Sequence, residues 1–246
     1  MINIILNGAN GKMGRTISEI VKGTDDLKII AGVDKNPGSA EFPIFDNIFK
    51  ITDRADVILD FSHPSALESL CSYAKERGIS LVVGTTGLEE KHYEMLRELS
   101  KNVPVFVSSN MSVGVFLLVN LVKKAVEVLK DYDIEIVERH HNQKIDAPSG
   151  TALMIADAVK EIKEDCEYIY SRVDKRKKRD KNEIGIHSVR AGNLVGEHRV
   201  IIAGEDETIE LIHTVTSRDV LARGALKAVR FIVSKAPGFY TMKDLV

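Results

Sequence analysis

The residues best suited to proton transfer lie together in one segment, 138–150, which reads Glu-Arg-His-His-Asn-Gln-Lys-Ile-Asp-Ala-Pro-Ser-Gly. Two imidazoles, His140 and His141, and the ammonium of Lys144 stand just before a Pro-Ser-Gly-Thr turn. The apolar run after this turn predicts a helix, whose first backbone N–H groups favour an anion. Proton donors beside an anion site predict acid chemistry on a small carboxylate substrate.

The part of the chain before residue 108 alternates between apolar runs and helical patterns. The runs are continuous and rich in β-branched residues, which is typical of strands buried on both faces of a parallel sheet. Strands are predicted at 2–6, 27–33, 57–61, 81–83 and 103–107, with helices at 16–22, after 62–65, and at 89–100. This alternation predicts an α/β fold with right-handed crossovers in a doubly wound sheet.

The pattern changes after Asn110 and predicts a second, α+β part of the chain. The predicted elements are helices at 112–129, 151–162 and 220–233, and strands at 134–137, 184–190, 197–203 and 208–215. Alternating apolar and polar residues in the later strands indicate a sheet with unlike faces. We expect the strand at 134–137 to end before His140 and His141, because a continuing strand would send them to opposite faces.

A glycine-rich segment, residues 8–14, follows the first predicted strand and opens the first predicted helix. Glycines let a pyrophosphate approach the backbone, and the helix N-terminus favours its charge. Asp34 ends the second strand about twenty residues later, where an acid can accept from ribose hydroxyls. A second small-residue turn, 84–87, lies at the same edge of the sheet. Together they predict a dinucleotide site, although the G-x-x-G-x-x-G spacing also occurs in structural turns.

The choice between NADH and NADPH rests on a few charges. The carboxylate of Asp34 repels a 2′-phosphate and therefore favours NADH. Lys35 and Lys12 favour the opposite choice, because a cation beside the acid can accommodate that phosphate. We predict that both NADPH and NADH are used.

Composition excludes several classes of protein. A net charge of -2 gives no reason to expect binding to nucleic acid or to a membrane surface. Cys71 and Cys166 lie far apart and match no metal-ligand spacing, so we predict no metal. The first strand begins at once, without a basic leader, which favours the cytoplasm.

The charged run 172–181 is interpreted as a solvated loop; a contribution to the capture of an anionic substrate or cofactor is the alternative.

These motifs, in this order, resemble the dihydrodipicolinate reductase family, whose members are also called 4-hydroxy-tetrahydrodipicolinate reductases. The resemblance runs along essentially the whole chain, and the His-His-x-x-Lys-x-Asp-Ala-Pro-Ser-Gly-Thr pattern is specific to the family, whereas the glycine loop is not. It rests on residues 8–14, 60–64, 84–87, 109–114, 138–151, 189–192 and 195–198.

The resemblance implies a fold and a reaction. The fold is an N-terminal Rossmann dinucleotide-binding domain, residues 1–111 completed by 219–246, plus a C-terminal α+β domain with an open mixed sheet. This second domain, residues 112–218, would bind substrate and form the oligomer, usually a homotetramer. The reaction is NAD(P)H-dependent reduction of 4-hydroxy-tetrahydrodipicolinate to tetrahydrodipicolinate, in lysine and diaminopimelate biosynthesis.

The resemblance also implies roles for single residues. His140 would be the acid/base residue and Lys144 the proton donor. His141 would bind substrate, and Ser149, Gly150 and Thr151 would hold its carboxylate. The implied cofactor contacts are Gly8, Ala9, Asn10, Gly11, Lys12, Met13, Asp34, Lys35, Gly84, Thr85, Thr86, Ser108, Ser109, Asn110 and Met111. Ser108 and Ser109 depart from the small apolar residues typical of the family.

Several histidines and one arginine stay outside this assignment. His63, His187 and His213 are interpreted as structural, and His198 is not assigned to the site. Arg218 is expected to be a hinge, a substrate-side cation or an exposed surface residue. Two rival functions remain: another two-domain Rossmann reductase of an amino-acid-like substrate, and a sensor that binds NAD(P)H without turnover.

Overall fold

The computed structural model describes residues 1–37, 40–173, 176–217 and 219–246. It divides into two compact units, Met1–Met111 with Asp219–Val246, and Ser112–Arg218. The predicted hinge residue Arg218 lies outside the described residues, as do two members of the charged run, Asp174 and Lys175.

The first unit is a seven-stranded sheet with helices packed on it. Every strand pair is parallel, in the order β12-β6-β5-β4-β1-β2-β3. Helix α1 packs against α6, and α2 packs against α3. The elements are β1 Ile2–Asn7, α1 Lys12–Lys22, β2 Leu27–Val33, β3 Ile44–Phe45, β4 Val57–Asp60, α2 Leu67–Arg77, β5 Ser80–Val83, α3 Glu90–Leu99, β6 Pro104–Val107, α6 Asp219–Ile232, β12 Gly238–Tyr240 and α7 Met242–Leu245.

The second unit is a five-stranded mixed sheet in the order β11-β10-β7-β9-β8. β7 pairs antiparallel with β10 and parallel with β9. Helices α4 and α5 pack against each other and against the sheet, over a core that includes Ile136 and Val200. The elements are α4 Val113–Val128, β7 Asp133–His140, α5 Gly150–Lys160, β8 Glu167–Ile169, β9 Glu183–Arg190, β10 Gly196–Ala203 and β11 Thr208–Val215.

The predicted α/β fold with a Rossmann-like parallel sheet and a second mixed sheet is confirmed. One local expectation was wrong: β7 does not end before the histidines but runs through His140. The sequence also did not predict the short strands β3, β8 and β12 or the single-turn helix α7. These elements have two to four residues each, too few for a hydrophobic period to be visible.

Candidate functional site

The glycine segment of the first unit forms a tight turn between β1 and α1. Gly8 has φ +79, and a Cβ there would lie 2.3 Å from the carbonyl oxygen of Phe61. Gly11 is the N-cap of α1 and has no side chain with which to cap it. The first-turn amides of α1 therefore face a space that suits the negative charge of a diphosphate.

Three cavities of the first unit surround this turn and bring most of the predicted cofactor residues together. A cavity of about 400 Å³ joins the start of α1 to the 84–86 turn, and a second, of about 630 Å³, lies beside the end of β2. A third, of about 950 Å³, opens on the other side of Asp34. The predicted residues that line them are Gly8, Ala9, Asn10, Gly11, Lys12, Met13, Asp34, Lys35, Gly84, Thr85, Thr86, Ser109 and Met111.

The remaining two predicted cofactor residues lie in the turn after β6. Ser108 donates from its hydroxyl to the carbonyl oxygen of Asn110, 2.6 Å away. This contact shapes the turn that leads to Ser109 and Met111. Met111 is buried, so it bounds the cavity without being exposed in it.

Asp34 is held rigidly at the end of β2. Its Oδ2 accepts from the backbone N–H of Asn10, and its Oδ1 accepts from the backbone N–H of Asn36, each at 3.0 Å. The Asn10 side chain donates in turn to the carbonyl of Asn36 at 2.6 Å. These contacts fix the carboxylate at the cavity wall, where the remaining lone pairs can accept from ribose hydroxyls.

A buried carboxylate, Asp60, joins the loops that line the smaller cavity, and the sequence did not single it out. It accepts from Asn7 Nδ2 at 2.7 Å, from Ser62 Oγ at 2.5 Å and from Thr85 Oγ1 at 2.6 Å. Burial raises the pKa of Asp60 above its ordinary value. The Thr85 hydroxyl also accepts from the backbone N–H of Ser62 at 2.8 Å, so this side chain holds together the loops that line the cavity.

Glu138 is the centre of the candidate site in the second unit. Its side chain is fully buried on β7, and both of its oxygens accept hydrogen bonds. His140 Nδ1 lies 2.6 Å from Oε2, and the backbone N–H of Ser149 lies 3.1 Å from Oε1. Arg190 donates from Nη1 to Oε2 at 2.8 Å and from Nη2 to Oε1 at 2.7 Å. Strand register places these groups together, because His140 pairs with Arg190.

The charge state of Glu138 follows from these contacts. Burial alone raises the pKa of its carboxyl, but the hydrogen bonds from Arg190 and His140 outweigh burial and lower the pKa to about 2. Glu138 is therefore ionised near neutral pH and can only accept hydrogen bonds. The same contact raises the pKa of Arg190.

Ser149 caps α5 and links it to His198. The Ser149 hydroxyl accepts from the backbone N–H of Ala152 at 3.1 Å and forms a second hydrogen bond with His198 Nε2, 2.8 Å away. Burial lowers the pKa of His198 to about 4, and this ring is therefore neutral. It packs edge-on against His140, with ring centroids 5.3 Å apart.

Lys144 lies in the loop between β7 and α5 and pairs with the carboxylate of Asp146, Nζ to Oδ1, at 2.7 Å. The hydrogen bond from Lys144 lowers the pKa of Asp146. The carbonyl oxygen of Asp146 accepts from Arg190 Nη2 at 2.6 Å. The loop that carries Lys144 is therefore tied to the same guanidinium as Glu138.

The other predicted residues of this segment lie around the same turn. His141 follows the end of β7, and its backbone carbonyl accepts from the N–H of Lys144 at 3.2 Å. Gly150 and Thr151 form the first turn of α5, and a Cβ at Gly150 would meet no atom within 4 Å. The open space at Gly150 leaves this helix N-terminus accessible to a carboxylate.

Glu138, Arg190 and His198 lie in the sequence motifs 138–151, 189–192 and 195–198, but the sequence predicted no role for their side chains in this site. Alternation was the available signal: Glu138 follows Ile134 and Ile136 on the buried face of β7, and His198 precedes Val200 on that of β10. A charged or polar residue in register with a buried apolar row is held by specific partners.

Three histidines are interpreted from the sequence as structural; their surroundings differ, and His63 also lines the cavity beside the end of β2. His63 caps a short 3-10 turn, and His213 Nε2 lies 2.5 Å from where a Cβ on Gly114 would be. His187 contacts Glu135 at 2.7 Å. Within the described part of the charged run, Arg172 binds the same Glu135, so this part is not a purely solvated loop.

Among the described residues, no group of three or more His, Cys, Asp or Glu is arranged to hold a metal ion. In the same part of the chain, no helix has both the length and the apolar character needed to cross a membrane.

Comparison with known proteins gives consistent matches over the whole chain. The family model "Dihydrodipicolinate reductase, N-terminus" matches residues 2–111, and "Dihydrodipicolinate reductase, C-terminus" matches residues 114–246. A 4-hydroxy-tetrahydrodipicolinate reductase of Clostridium tetani is 50% identical over 245 residues, covering 98% of this chain and 96% of that protein. A 4-hydroxy-tetrahydrodipicolinate reductase of Caldanaerobacter subterraneus subsp. tengcongensis is 48% identical over 247 aligned positions, covering 100% of this chain and 98% of that protein. A solved dipicolinate-bound dihydrodipicolinate reductase from Paenisporosarcina sp. TG-14 superposes with TM-score 0.83 at 25% identity, covering 98% of this chain and 97% of that one.

Proposed function

The chain belongs to the dihydrodipicolinate reductase family, and on that premise we propose how its own residues carry out the reaction. The family is NAD(P)H-dependent and acts in lysine and diaminopimelate biosynthesis, so the chain is an oxidoreductase. The substrate proposed here is 4-hydroxy-tetrahydrodipicolinate, a small cyclic imine with two carboxylates. The observation that carries the proposal is the single frame in which Glu138 and Arg190 hold His140, Ser149 and the Lys144 loop.

The proton-transfer roles fall to His140 and Lys144. Loss of the 4-hydroxyl group as water would give a conjugated imine, and bound NADH or NADPH would supply a hydride to its ring C4. Reduction of a conjugated imine puts electron density on the ring nitrogen, and a positioned acid stabilises that charge and delivers a proton. The ammonium of Lys144, held by Asp146, and the ring of His140, held by Glu138, are the two donors of this site.

The substrate carboxylate is assigned to the start of α5. The backbone N–H groups of Gly150 and Thr151, with the Thr151 hydroxyl, are suited to this anion because they stand at the positive end of the helix. Ser149 supports this turn by capping α5 rather than by binding the substrate, because its backbone N–H already donates to Glu138 and its hydroxyl contacts Ala152 and His198. His141 is proposed to bind substrate from the start of the loop.

The cofactor would be held by the first unit, whose features fit a dinucleotide. The Gly8 turn, the first amides of α1 and the fixed carboxylate of Asp34 match a diphosphate and a ribose. The 84–86 turn, Ser109 and Met111 line the adjoining cavity and would hold the nicotinamide half. Asp34 favours NADH and Lys35 tolerates the 2′-phosphate, so use of both cofactors is proposed.

A homotetramer and a cytoplasmic location are proposed as well. The face of the second sheet opposite Glu138 presents Val189 and Ile212, which are 39% and 48% exposed and suit burial in an interface. Light scattering should then give four times the 27.3 kDa chain mass. Cys71 and Cys166 are both free and buried, in keeping with a reducing compartment, which fractionation of cells would test.

The reaction and the proton donor can be tested together. Loss of NADH or NADPH absorbance would be followed with freshly generated 4-hydroxy-tetrahydrodipicolinate, for the wild type and Lys144→Ala. The variant should lose about 10²- to 10⁴-fold in kcat, because it lacks the donor. Its affinity for NADH should not change, since the cofactor residues lie in the other unit.

Lys123→Ala is the matched control, because Lys123 also pairs with a carboxylate in the second unit, that of Glu161. It should keep full activity. If the wild type bound NADH but reduced the substrate with neither cofactor, a sensor that binds NAD(P)H without turnover would replace the proposed reductase. A ratio of kcat/KM for the two cofactors beyond about a thousandfold, roughly 4 kcal/mol, would contradict dual use.

A further inference from the structure

We propose that Glu138, clamped by Arg190, is the positioning residue that fixes His140 for proton transfer and joins it to the carboxylate-binding turn. This inference rests on the proposed function, in which His140 transfers a proton. Both oxygens of Glu138 are engaged: Oε2 by His140 Nδ1 at 2.6 Å, and Oε1 by the backbone N–H of Ser149 at 3.1 Å. The fork of Arg190 bonds to both oxygens, which prevents the carboxylate from rotating.

The contact with Glu138 sets the tautomer of His140. A carboxylate that is ionised and buried accepts hydrogen bonds only, so the nitrogen that faces it, Nδ1, must carry a proton. The other nitrogen, Nε2, is then the atom through which His140 gives or takes the transferable proton. Gly196 leaves room on that side of the ring, because a Cβ there would lie 3.1 Å from Nε2.

The charged and titratable groups around His140 come from three strands and one loop. β7 supplies Glu138, β9 supplies Arg190, β10 supplies His198, and the following loop supplies Lys144 with Asp146. Arg190 is neutralised by Glu138, Lys144 is paired with Asp146, and His198 is neutral because burial lowers its pKa. Glu138 is the carboxylate bonded to the ring, and it shares its single negative charge between Arg190 and His140 when His140 is a cation.

Arg190 extends the same frame to the proton donor of the loop. Its Nη2 donates to the carbonyl oxygen of Asp146 at 2.6 Å, and the carboxylate of Asp146 binds Lys144. One guanidinium thus connects the positions of both proposed proton-transfer residues. Displacement of Glu138 would disturb His140 directly and Lys144 only through Arg190.

The test is a double-mutant cycle between Glu138→Gln and His140→Ala, measured as kcat with 4-hydroxy-tetrahydrodipicolinate and NADH. Glu138→Gln alone should lower kcat by about 100-fold, since a general acid contributes 10²- to 10⁴-fold and its orientation is lost. In the His140→Ala background the same change should cost less than about threefold, because the residue acts through His140. Equal losses in both backgrounds would mean a structural role and would overturn the proposal.

Glu135→Gln is the matched control, because Glu135 lies on the same strand and also binds a histidine and arginines. Its kcat should stay within about twofold of the wild type. If the wild type showed no turnover, the proposed function itself would be wrong. If the wild type were active but Glu138→Gln lowered kcat equally in both backgrounds, only the role of Glu138 would be wrong.

Because Glu138→Gln could fail to fold, a second measurement uses the unaltered protein. Long-range ¹H–¹⁵N spectra of the histidine rings distinguish Nδ1–H from Nε2–H, and the His140 signals are assigned by their loss in His140→Ala. Neutral His140 should carry its proton on Nδ1. A proton on Nε2 would overturn the assignment.

Discussion

Two glutamates on β7 make the same kinds of contact on opposite faces of one sheet, and only one of them belongs to the site. Glu138 binds His140 and Arg190, and its side chain is fully buried. Glu135 binds His187 and Arg172 on the other face, where 23% of its side chain is exposed. The two clusters therefore contain the same types of residue. They differ in how deeply the glutamate is buried and in the further residue that each glutamate binds.

The partners show what each cluster holds in place. Glu138 also accepts from Ser149, at the start of α5, so its cluster orders the turn proposed to bind substrate. Glu135 accepts from Arg179 as well, at 3.2 Å, so its cluster pins the charged segment beside β9. A carboxylate fixed by several donors can order a substrate-binding turn or stabilise a surface segment, and its location decides which of the two it does.

The largest expected difference between the clusters is in stability. Glu138→Gln leaves Arg190 without its counter-ion beside a buried site, which should cost about 3–5 kcal/mol. Glu135→Gln leaves Arg172 paired with Glu183 and should cost about 1 kcal/mol. Thermal unfolding at neutral pH should therefore show a Tm lower by about 10 °C for Glu138→Gln and by a few degrees for Glu135→Gln. Equal losses would mean that burial does not distinguish the clusters.

The second prediction concerns acid. The pKa of Glu138 lies at about 2 in the folded chain, below the ordinary 4.5, so its ionised form stabilises the fold above pH 4.5. That contribution, ~3 kcal/mol, should disappear as the pH falls from 4.5 to 2. The free energies of unfolding of the wild type and Glu138→Gln should therefore converge over this range.

Glu135 supplies the contrast for this measurement. Burial raises the pKa of Glu135, but the hydrogen bonds from Arg172, His187 and Arg179 outweigh it and lower the pKa. Because its carboxylate is partly solvated, the wild type and Glu135→Gln should converge less as the solution is acidified. A larger convergence for Glu135→Gln than for Glu138→Gln would reverse the proposed ranking.

The comparison also shows why part of the site could not be predicted from the sequence. Residues that are neighbours in the chain, such as His140, Lys144 and Thr151, were found from one motif. Arg190 and His198 reach Glu138 only because β9 and β10 pair with β7 in a given register. Register depends on long-range packing, so a local pattern shows which face a residue occupies but not which residue it meets.

The fold was predictable to a similar depth. Continuous β-branched runs predicted the longer strands of the first sheet, and alternation predicted the later strands of the second. Ser112 caps α4 by accepting from the N–H of Val115. The short strand β12 was not predicted, because the three residues Gly238–Tyr240 are too few to show a period. Only its pairing with β6, far away in the chain, makes it a strand.

The smallest predicted effect is a change in KM that distinguishes Ser149, an N-cap that also contacts the candidate site, from Ser112, the N-cap of α4. Ser149→Ala and Ser112→Ala each remove a serine N-cap from a helix of the second unit, and each should cost about 1 kcal/mol of stability. The Ser149 hydroxyl also hydrogen-bonds with His198, beside the Glu138 cluster, so Ser149→Ala should additionally raise KM for substrate by a few fold. Ser112→Ala should leave KM unchanged. If both variants lost stability and neither changed KM, the hydroxyl of Ser149 would be a helix cap alone, and the ordering of the carboxylate turn would rest on the bond from its backbone N–H to Glu138.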